Sequence, residues 1–215
     1  MNRILLKLTK VGDPLPVLSS KLFGMPDVWD EFEWPQPKTH PVSGYEYDIE
    51  FLCQINCAEA AKYDKDGILP KTGMLYYFDD REYRTEKGET MVFYYDVDLS
   101  KLSPYVTADE AEDCFDDDMF IFHDEYAIEF ACNEYRNYKN KAPEGLGNHF
   151  LLGVPTDPEQ MGFGAKEPPD KWQMLLQLQW DCLAGGSLMY ICWFINKSDL
   201  ANRDFSKAWV RYAHD

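Results

Sequence analysis

Basic residues are scarce in this 215-residue chain: 21 Lys and Arg stand against 38 Asp and Glu, a formal net charge of −17. So acidic a surface is repelled by phosphate backbones and by anionic lipid, which sets aside nucleic acid and membrane surfaces as partners. It suits either a basic protein partner or plain solubility. Cysteine is also sparse, and six in this length are too few for a disulfide scaffold. Cys53, Cys57, Cys182 and Cys192 fall in or beside apolar segments, where a thiol packs as a small hydrophobe. No apolar run reaches membrane-spanning length, and the opening MNRILLKLTKVGDPLP breaks its short apolar patch at Lys7 and Lys10 without a cleavage-site pattern. The expectation is a reduced, cytoplasmic protein forming a single domain over 1–215.

Signatures of common chemistries are lacking as well. The phosphate-binding loop, the dinucleotide glycine fingerprint, the nucleophile elbow and the metalloprotease His-Glu pair are all missing. The stretch KYDKDG gives Asp64, Asp66 and Gly67 a calcium-loop spacing, but Lys62 occupies the opening position and Gly73 the closing one. Cys53 and Cys57 are spaced for zinc, yet no second ligand pair follows. DVD at Asp96–Asp98 reads as a turn, and NKS at Asn196 is a glycosylation sequon only in a secreted protein. His149, beside the apolar run FLLG, has no assignable acid or nucleophile partner. No metal site and no cofactor are expected.

What is present is order repeated. Gly24-Met25-Pro26, FLCQIN at Phe51 and GMLYYF at Gly73 are followed later by Gly153-Val154-Pro155, LLQLQW at Leu175 and GSLMYI at Gly186. The match pairs Gln54 with Gln177, Gly73 with Gly186, Leu75 with Leu188 and Tyr77 with Tyr190. The predicted fold is therefore mainly β within the α+β class, internally duplicated, with two β-sheet half-repeats around a pseudo-two-fold and few short helices. The half-repeats span about 19–100 and 148–212, joined by an acidic segment at 107–134.

Period-two alternation puts Phe51, Cys53 and Ile55 on one face and Leu52, Gln54 and Asn56 on the other. It groups Leu176, Leu178 and Trp180 against Leu175, Gln177 and Gln179. A buried amide must be bonded, so Gln54 and Gln177 either lock strand register or line a cleft between the half-repeats. Further strands are expected at ILLKL, MVFYYDV, YAIEFAC, MYICWFI and AWVRYA. Short helices are expected after the capping box Thr107–Glu110 and from Ser198 or Asp199.

Charge is unevenly spread. Residues 107–134 hold eleven Asp and Glu and no Lys or Arg. Asp109, Glu110, Glu112, Asp113, Asp116, Asp117 and Asp118 form a candidate docking face, with a cation site or a merely solvated linker as the alternatives.

Six segments in order, SKLFGMP, FLCQINCAE, GMLYYFDD, NHFLLGVP, LLQLQWD and DLANRDFSKAW, give the chain a resemblance to the YwqG-like family, a family of domains of unknown function. The resemblance spans nearly the whole chain and implies a predominantly β, internally duplicated fold. FGMP lacks the family's second glycine, and DCLAGGS stands where a Trp-Gly-Asp segment is usual. Carried-over positions are Gln54, Asn56, His149, Gly153, Gln177 and Asp181, none with a catalytic role in the family. Such relatives resemble immunity proteins that neutralise basic toxins, so the leading expectation is a non-enzymatic module for a basic protein. The alternative is a small-molecule site or enzyme in the cleft, with Gln54, Asn56, Gln177 and Gln179 as bonding groups and Trp34, Trp180 or Tyr77 as walls. Oligomeric state is left open.

Overall fold

Short runs rich in Val, Ile, Tyr and Phe favour pleated surfaces, and in a computed structural model they form strands throughout. The structure describes residues 3–36, 38–39, 46–47, 49–79, 91–106, 124–132, 147–159, 161–162, 171–180, 183 and 188–214. Its strands are β1 (Ile4–Lys10), β2 (Lys21–Leu22), β3 (Asp27–Val28), β4 (Lys38–Thr39), β5 (Glu46–Tyr47), β6 (Glu50–Asn56) and β7 (Met74–Asp79). They continue as β8 (Met91–Tyr95), β9 (Ser103–Pro104), β10 (Tyr126–Cys132), β11 (Phe150–Leu151), β12 (Trp172–Gln179), β13 (Leu188–Asn196) and β14 (Trp209–His214). Among the elements described in full, the α-helices are α1 (Cys57–Ala60) and α2 (Lys197–Ala201). The capping-box helix expected at Thr107 lies outside the described residues.

Ten strands make one antiparallel sheet in the order β14-β13-β12-β11-β1-β10-β2-β6-β7-β8. The long pair β1 and β10 runs in register from Ile4–Cys132 to Lys10–Tyr126 and divides the sheet into two four-stranded wings. The fold is mainly β, as expected. The sheet curls until its wings share one core. Leu52, Cys53, Ile55, Leu75 and Tyr77 of one wing are buried with Leu175, Leu176, Leu178, Ile191 and Trp193 of the other. Tyr77 and Trp193 meet edge to face at 5.5 Å between ring centroids. The buried Tyr212 hydroxyl of β14 donates to Asp79 of β7 at 2.6 Å, and Tyr94 of β8 packs on Phe205 at 5.3 Å.

The outer face of each wing is covered too. Trp29 stacks on Tyr95 at 4.4 Å, and Phe32 and Trp34 pack on Phe78. On the other wing Trp172, Phe194 and Trp209 pack in series over Met161 and Met174. Sheets buried on both faces lose their polar alternation, so these strands read as continuous apolar runs.

One expectation about faces is corrected. Leu52 lies with Cys53 and Ile55 in the shared core while Phe51 faces outward; likewise Leu175 joins Leu176 and Leu178 while Met174 faces outward. The cause is a β-bulge in each strand, between Phe51 and Cys53 and between Met174 and Leu176. An extra residue shifts alternation by one. The ladder also moves the second half of the sequence match by three positions. Gln54 lies opposite Tyr76 and Gln177 opposite Cys192, so Leu75 answers to Ile191 and Tyr77 to Trp193.

Neighbouring tyrosines on β7 give a test of this packing. The Tyr76 hydroxyl donates to the Asp27 carbonyl at 2.6 Å, whereas the Tyr77 hydroxyl is fully buried without a hydrogen-bond partner among the described residues. In urea denaturation, Tyr76→Phe is expected to lose about 0.5–1.5 kcal/mol, and Tyr77→Phe to be neutral or stabilising. Equal losses from both would contradict the assigned faces.

Candidate functional site

The two glutamines are held by loops of one design. On the first wing, Gln54 Oε1 accepts from the Asp27 N–H at 2.8 Å. Its Nε2 donates to the Ser19 carbonyl at 2.8 Å and to Asp27 Oδ2 at 2.6 Å. On the second wing, Gln177 Oε1 accepts from the Thr156 N–H at 2.8 Å, and its Nε2 donates to the Asn148 carbonyl at 2.8 Å and to Thr156 Oγ1 at 2.7 Å. In both, the carbonyl and the N–H belong to residues eight apart, and the N–H follows the proline of Gly-x-Pro.

The backbone explains how a loop can wrap one amide. Phe23 and Gly24 adopt φ of 61° and 68°, and Leu152 and Gly153 adopt 62° and 87°. Two consecutive left-handed residues turn the chain back over the strand, and glycine serves at the second because a side chain there would strike Glu125 or Arg3. The Phe23 N–H donates to the Leu52 carbonyl at 2.8 Å, and the Leu152 N–H to Leu175 at 3.1 Å. The bulged residues therefore anchor the turns. Asn56 N–H donates to Ser20 Oγ at 2.9 Å, and Gln179 N–H to His149 Nδ1 at 3.2 Å.

These bonds decide what the candidate residues can do. Gln54 and Gln177 have no exposed surface, so neither opens onto a solvent-filled cleft. Asn56 caps α1, accepting from the Ala58 N–H at 3.0 Å and donating to the Leu18 carbonyl at 3.0 Å. Gln179 Oε1 accepts from the Asn148 N–H at 2.7 Å. His149 is buried, and Nδ1, as an acceptor, carries no proton. Gln177, Gln179 and His149 thus come together around one loop, Gln54 and Asn56 around the other. Asp181 and the acids from Asp109 to Asp118 lie outside the described residues. The proposed walls are core residues: Tyr77 and Trp180 in the shared core, Trp34 in the outer layer, its Nε1 donating to the Ile49 carbonyl at 2.8 Å.

Sequence reasoning missed a buried charge cluster beside Gln54. Lys21 Nζ lies 2.8 Å from Glu125 and 3.7 Å from Asp27, with all but a few per cent of each side chain of the Lys21–Asp27 pair covered. Asp27 Oδ2 also accepts from the Leu18 N–H at 2.9 Å, and Glu125 Oε2 from the Leu15 N–H at 2.9 Å. The signal was a lysine three residues before Gly24 with an aspartate directly after Pro26. At the corresponding place on the other wing, Phe150 lies under the Arg3 guanidinium at 5.0 Å. Arg3 donates to the Val154 and Pro155 carbonyls, and burial lowers its pKa.

The thiols are equally internal. Burial pushes the Cys57 thiol up to about 12 and raises Cys53 and Cys192 as well, so all three stay protonated and unreactive. Among the described residues no three His, Cys, Asp or Glu are placed to hold a metal ion.

Leu in place of Gln54 or Gln177 leaves a backbone N–H and a carbonyl unpaired in the interior. Each variant is expected to lose about 2–6 kcal/mol in urea denaturation, at ~1–3 kcal/mol for each of the two orphaned groups. In the native protein, alkylation followed by peptide mass spectrometry is expected to modify the exposed Cys132 and to spare Cys53, Cys57 and Cys192 until the chain is unfolded.

Comparison of the sequence with characterised proteins gives no match. A family model described as a domain of unknown function, DUF1963, matches residues 20–213, beginning at the Ser20 that anchors the first loop and ending in β14. That span takes in both amide-locked loops and every strand of both wings, and the chain belongs to the DUF1963 family.

Proposed function

We propose that the protein is a non-enzymatic protein-binding module for a basic partner, and that the acidic segment 107–134, with Asp109, Glu110, Glu112, Asp113, Asp116, Asp117 and Asp118, supplies the contact face. The observation that carries this reading is the charge. The net value is −17, and within 107–134 all eleven ionised side chains other than His are acidic. The three of them that lie among the described residues have cationic neighbours within the chain: Asp124 against Lys10 at 2.5 Å, Glu125 against Lys21 at 2.8 Å, and Glu129 against Lys7 at 3.5 Å. A chain-wide excess of this size draws a basic partner by long-range attraction, giving fast, salt-sensitive association. The amides that sequence reasoning offered to a ligand are spent inside the protein, which removes the support they lent to a cleft between the wings.

In its sharper form the proposal is an immunity-type protein that covers a basic toxin, of the kind the YwqG-like resemblance implies. We also infer that the two wings are copies of one unit. The matched glutamine bonds, the paired bulges and the paired left-handed turns support that inference.

The test is capture from the source lysate on immobilised protein, read by mass spectrometry, with wild type beside the Asp116→Asn, Asp117→Asn, Asp118→Asn triple variant. A basic protein retained at low salt, released at high salt and bound more slowly by the variant is the expected outcome. Identical retention by both proteins would rule the acidic segment out as the contact face.

A further inference from the structure

The outer layers of the two wings occupy matching places, since Phe78 of β7 answers to Phe194 of β13 in the ladder match. They are not equally covered. On the second wing Trp172, Phe194 and Trp209 are at most 7% exposed. On the first, Phe51, Tyr76 and Phe78 are buried as deeply, but Trp29, Phe32, Trp34, Phe93 and Tyr95 around them are only partly buried. The same layer is sealed on one wing and open to solvent on the other.

The open rings form one continuous surface. Tyr95 stacks on Trp29 with 5° between ring planes. Phe32 meets Trp29 at 5.0 Å and Tyr105 at 5.9 Å, and Tyr105 meets Trp34 at 4.9 Å. The Phe32 N–H closes a turn on the Trp29 carbonyl at 2.9 Å, and the Trp34 indole is tied to Ile49, which holds the layer in place. Val106, next to Tyr105, adds an apolar side chain that is 67% exposed. Contiguous open rings with a polar border mark surfaces that other molecules cover.

The border is acidic. Residues 29–34 read WDEFEW, which places Asp30, Glu31 and Glu33 in solvent between the three rings. No Lys or Arg occurs from 22 to 37. At the edge of the layer, hydrogen bonding from Ser100 and the charge of Lys101 lower the Asp98 pKa, so the Lys101 charge is answered there. A second copy of the chain brings the same charge of −17 and is repelled, as is an anionic membrane. Ring faces beside carboxylates suit arginine, whose planar cation stacks on an aromatic face while its N–H groups bond a carboxylate.

We infer that the open aromatic layer of the first wing is a docking surface for an arginine-bearing, partly apolar segment of a protein partner. Guanidinium groups lie on Trp29 and Trp34 and bond to Asp30, Glu31 and Glu33, while apolar side chains of the segment cover Phe32 and Phe93. The surface uses none of residues 107–134 and does not rest on the docking face proposed above.

The experiment follows the indole signals of the full-length protein in ¹⁵N–¹H spectra at about 150 mM salt, where long-range attraction is screened. The probe is acetyl-Arg-Leu-Arg-Leu-Arg-amide. One control peptide replaces every Arg by Lys, which keeps the charge; the other uses citrulline, which keeps the planar group without it. The arginine peptide is expected to shift the Trp29 and Trp34 signals saturably, in the millimolar range or tighter, and to leave Trp172 and Trp193 unmoved. Asp30→Asn, Glu31→Gln and Glu33→Gln together are expected to weaken it at least about tenfold, and these exposed changes leave the core intact. Trp29→Leu is expected to weaken the arginine peptide more than the lysine one. The Asp116→Asn, Asp117→Asn, Asp118→Asn triple variant is expected to bind the peptide like wild type, which separates this surface from the acidic segment. The proposal is overturned if neither indole signal saturates by about 5 mM, or if either control peptide binds as well as the arginine one. Unchanged binding by the Asp30, Glu31 and Glu33 variant, or loss of binding by the Asp116, Asp117 and Asp118 variant, overturns it equally.

Discussion

A buried side-chain amide that replaces missing backbone partners is the constraint on which each wing rests. β2 and β11 are only two residues long, so neither can satisfy the loop that follows it through sheet bonds alone. Gln54 and Gln177 supply the lacking donor and acceptor from the neighbouring strand, and do so without solvent competition. Glutamine is suited to this because one planar group offers both functions at a reach that spans from the strand to the loop. The bulges and left-handed turns follow from the same need: the carbonyl of the extra residue holds the turn that brings the loop over the amide.

Given two such wings, closure of the sheet is a matter of what meets in the middle. The central residues are aromatic and branched aliphatic, and they dominate the burial. At the rim the contacts are polar and few: Tyr212 with Asp79 in the interior, and Arg203 with Asp96 at 3.5 Å beside Tyr94 nearer the surface. Burial and a hydrogen bond to Asp96 push the Tyr94 hydroxyl up to about 12, so it remains a donor throughout the neutral range. The apolar centre drives closure, while the rim contacts define which residues lie opposite one another.

Much of this was legible. Alternating or continuous apolar runs marked β1, β6 to β8, β10 and β12 to β14, and the repeated Gly-x-Pro and glutamine identified the positions where the loops lock. The bulges were not legible, because an extra residue inside EFLC or QMLL adds one apolar side chain to others and leaves no mark on the pattern. Helix α1 was missed because four residues are too short for a helical period, and only the Asn56 cap announced it. The charge cluster was missed because Lys21 and Glu125 are over a hundred positions apart and join only when β10 lies beside β2. The candidate amides were found but their role stayed open, since a glutamine on an apolar strand looks the same whether it faces a ligand or a loop.

Glu125 and Arg3 occupy matching places, each two residues before the residue of the central pair that faces β2 or β11: Ala127 opposite Lys21, and Leu5 opposite Phe150. Their charges are opposite, and so are the demands they make. Were the first wing to dock against β1, Lys21 would meet Arg3; were the second to dock against β10, Glu125 would be buried over Phe150 without its lysine. Both errors place an uncompensated charge in the interior. The central strand pair therefore acts as a key that tells two similarly built wings apart.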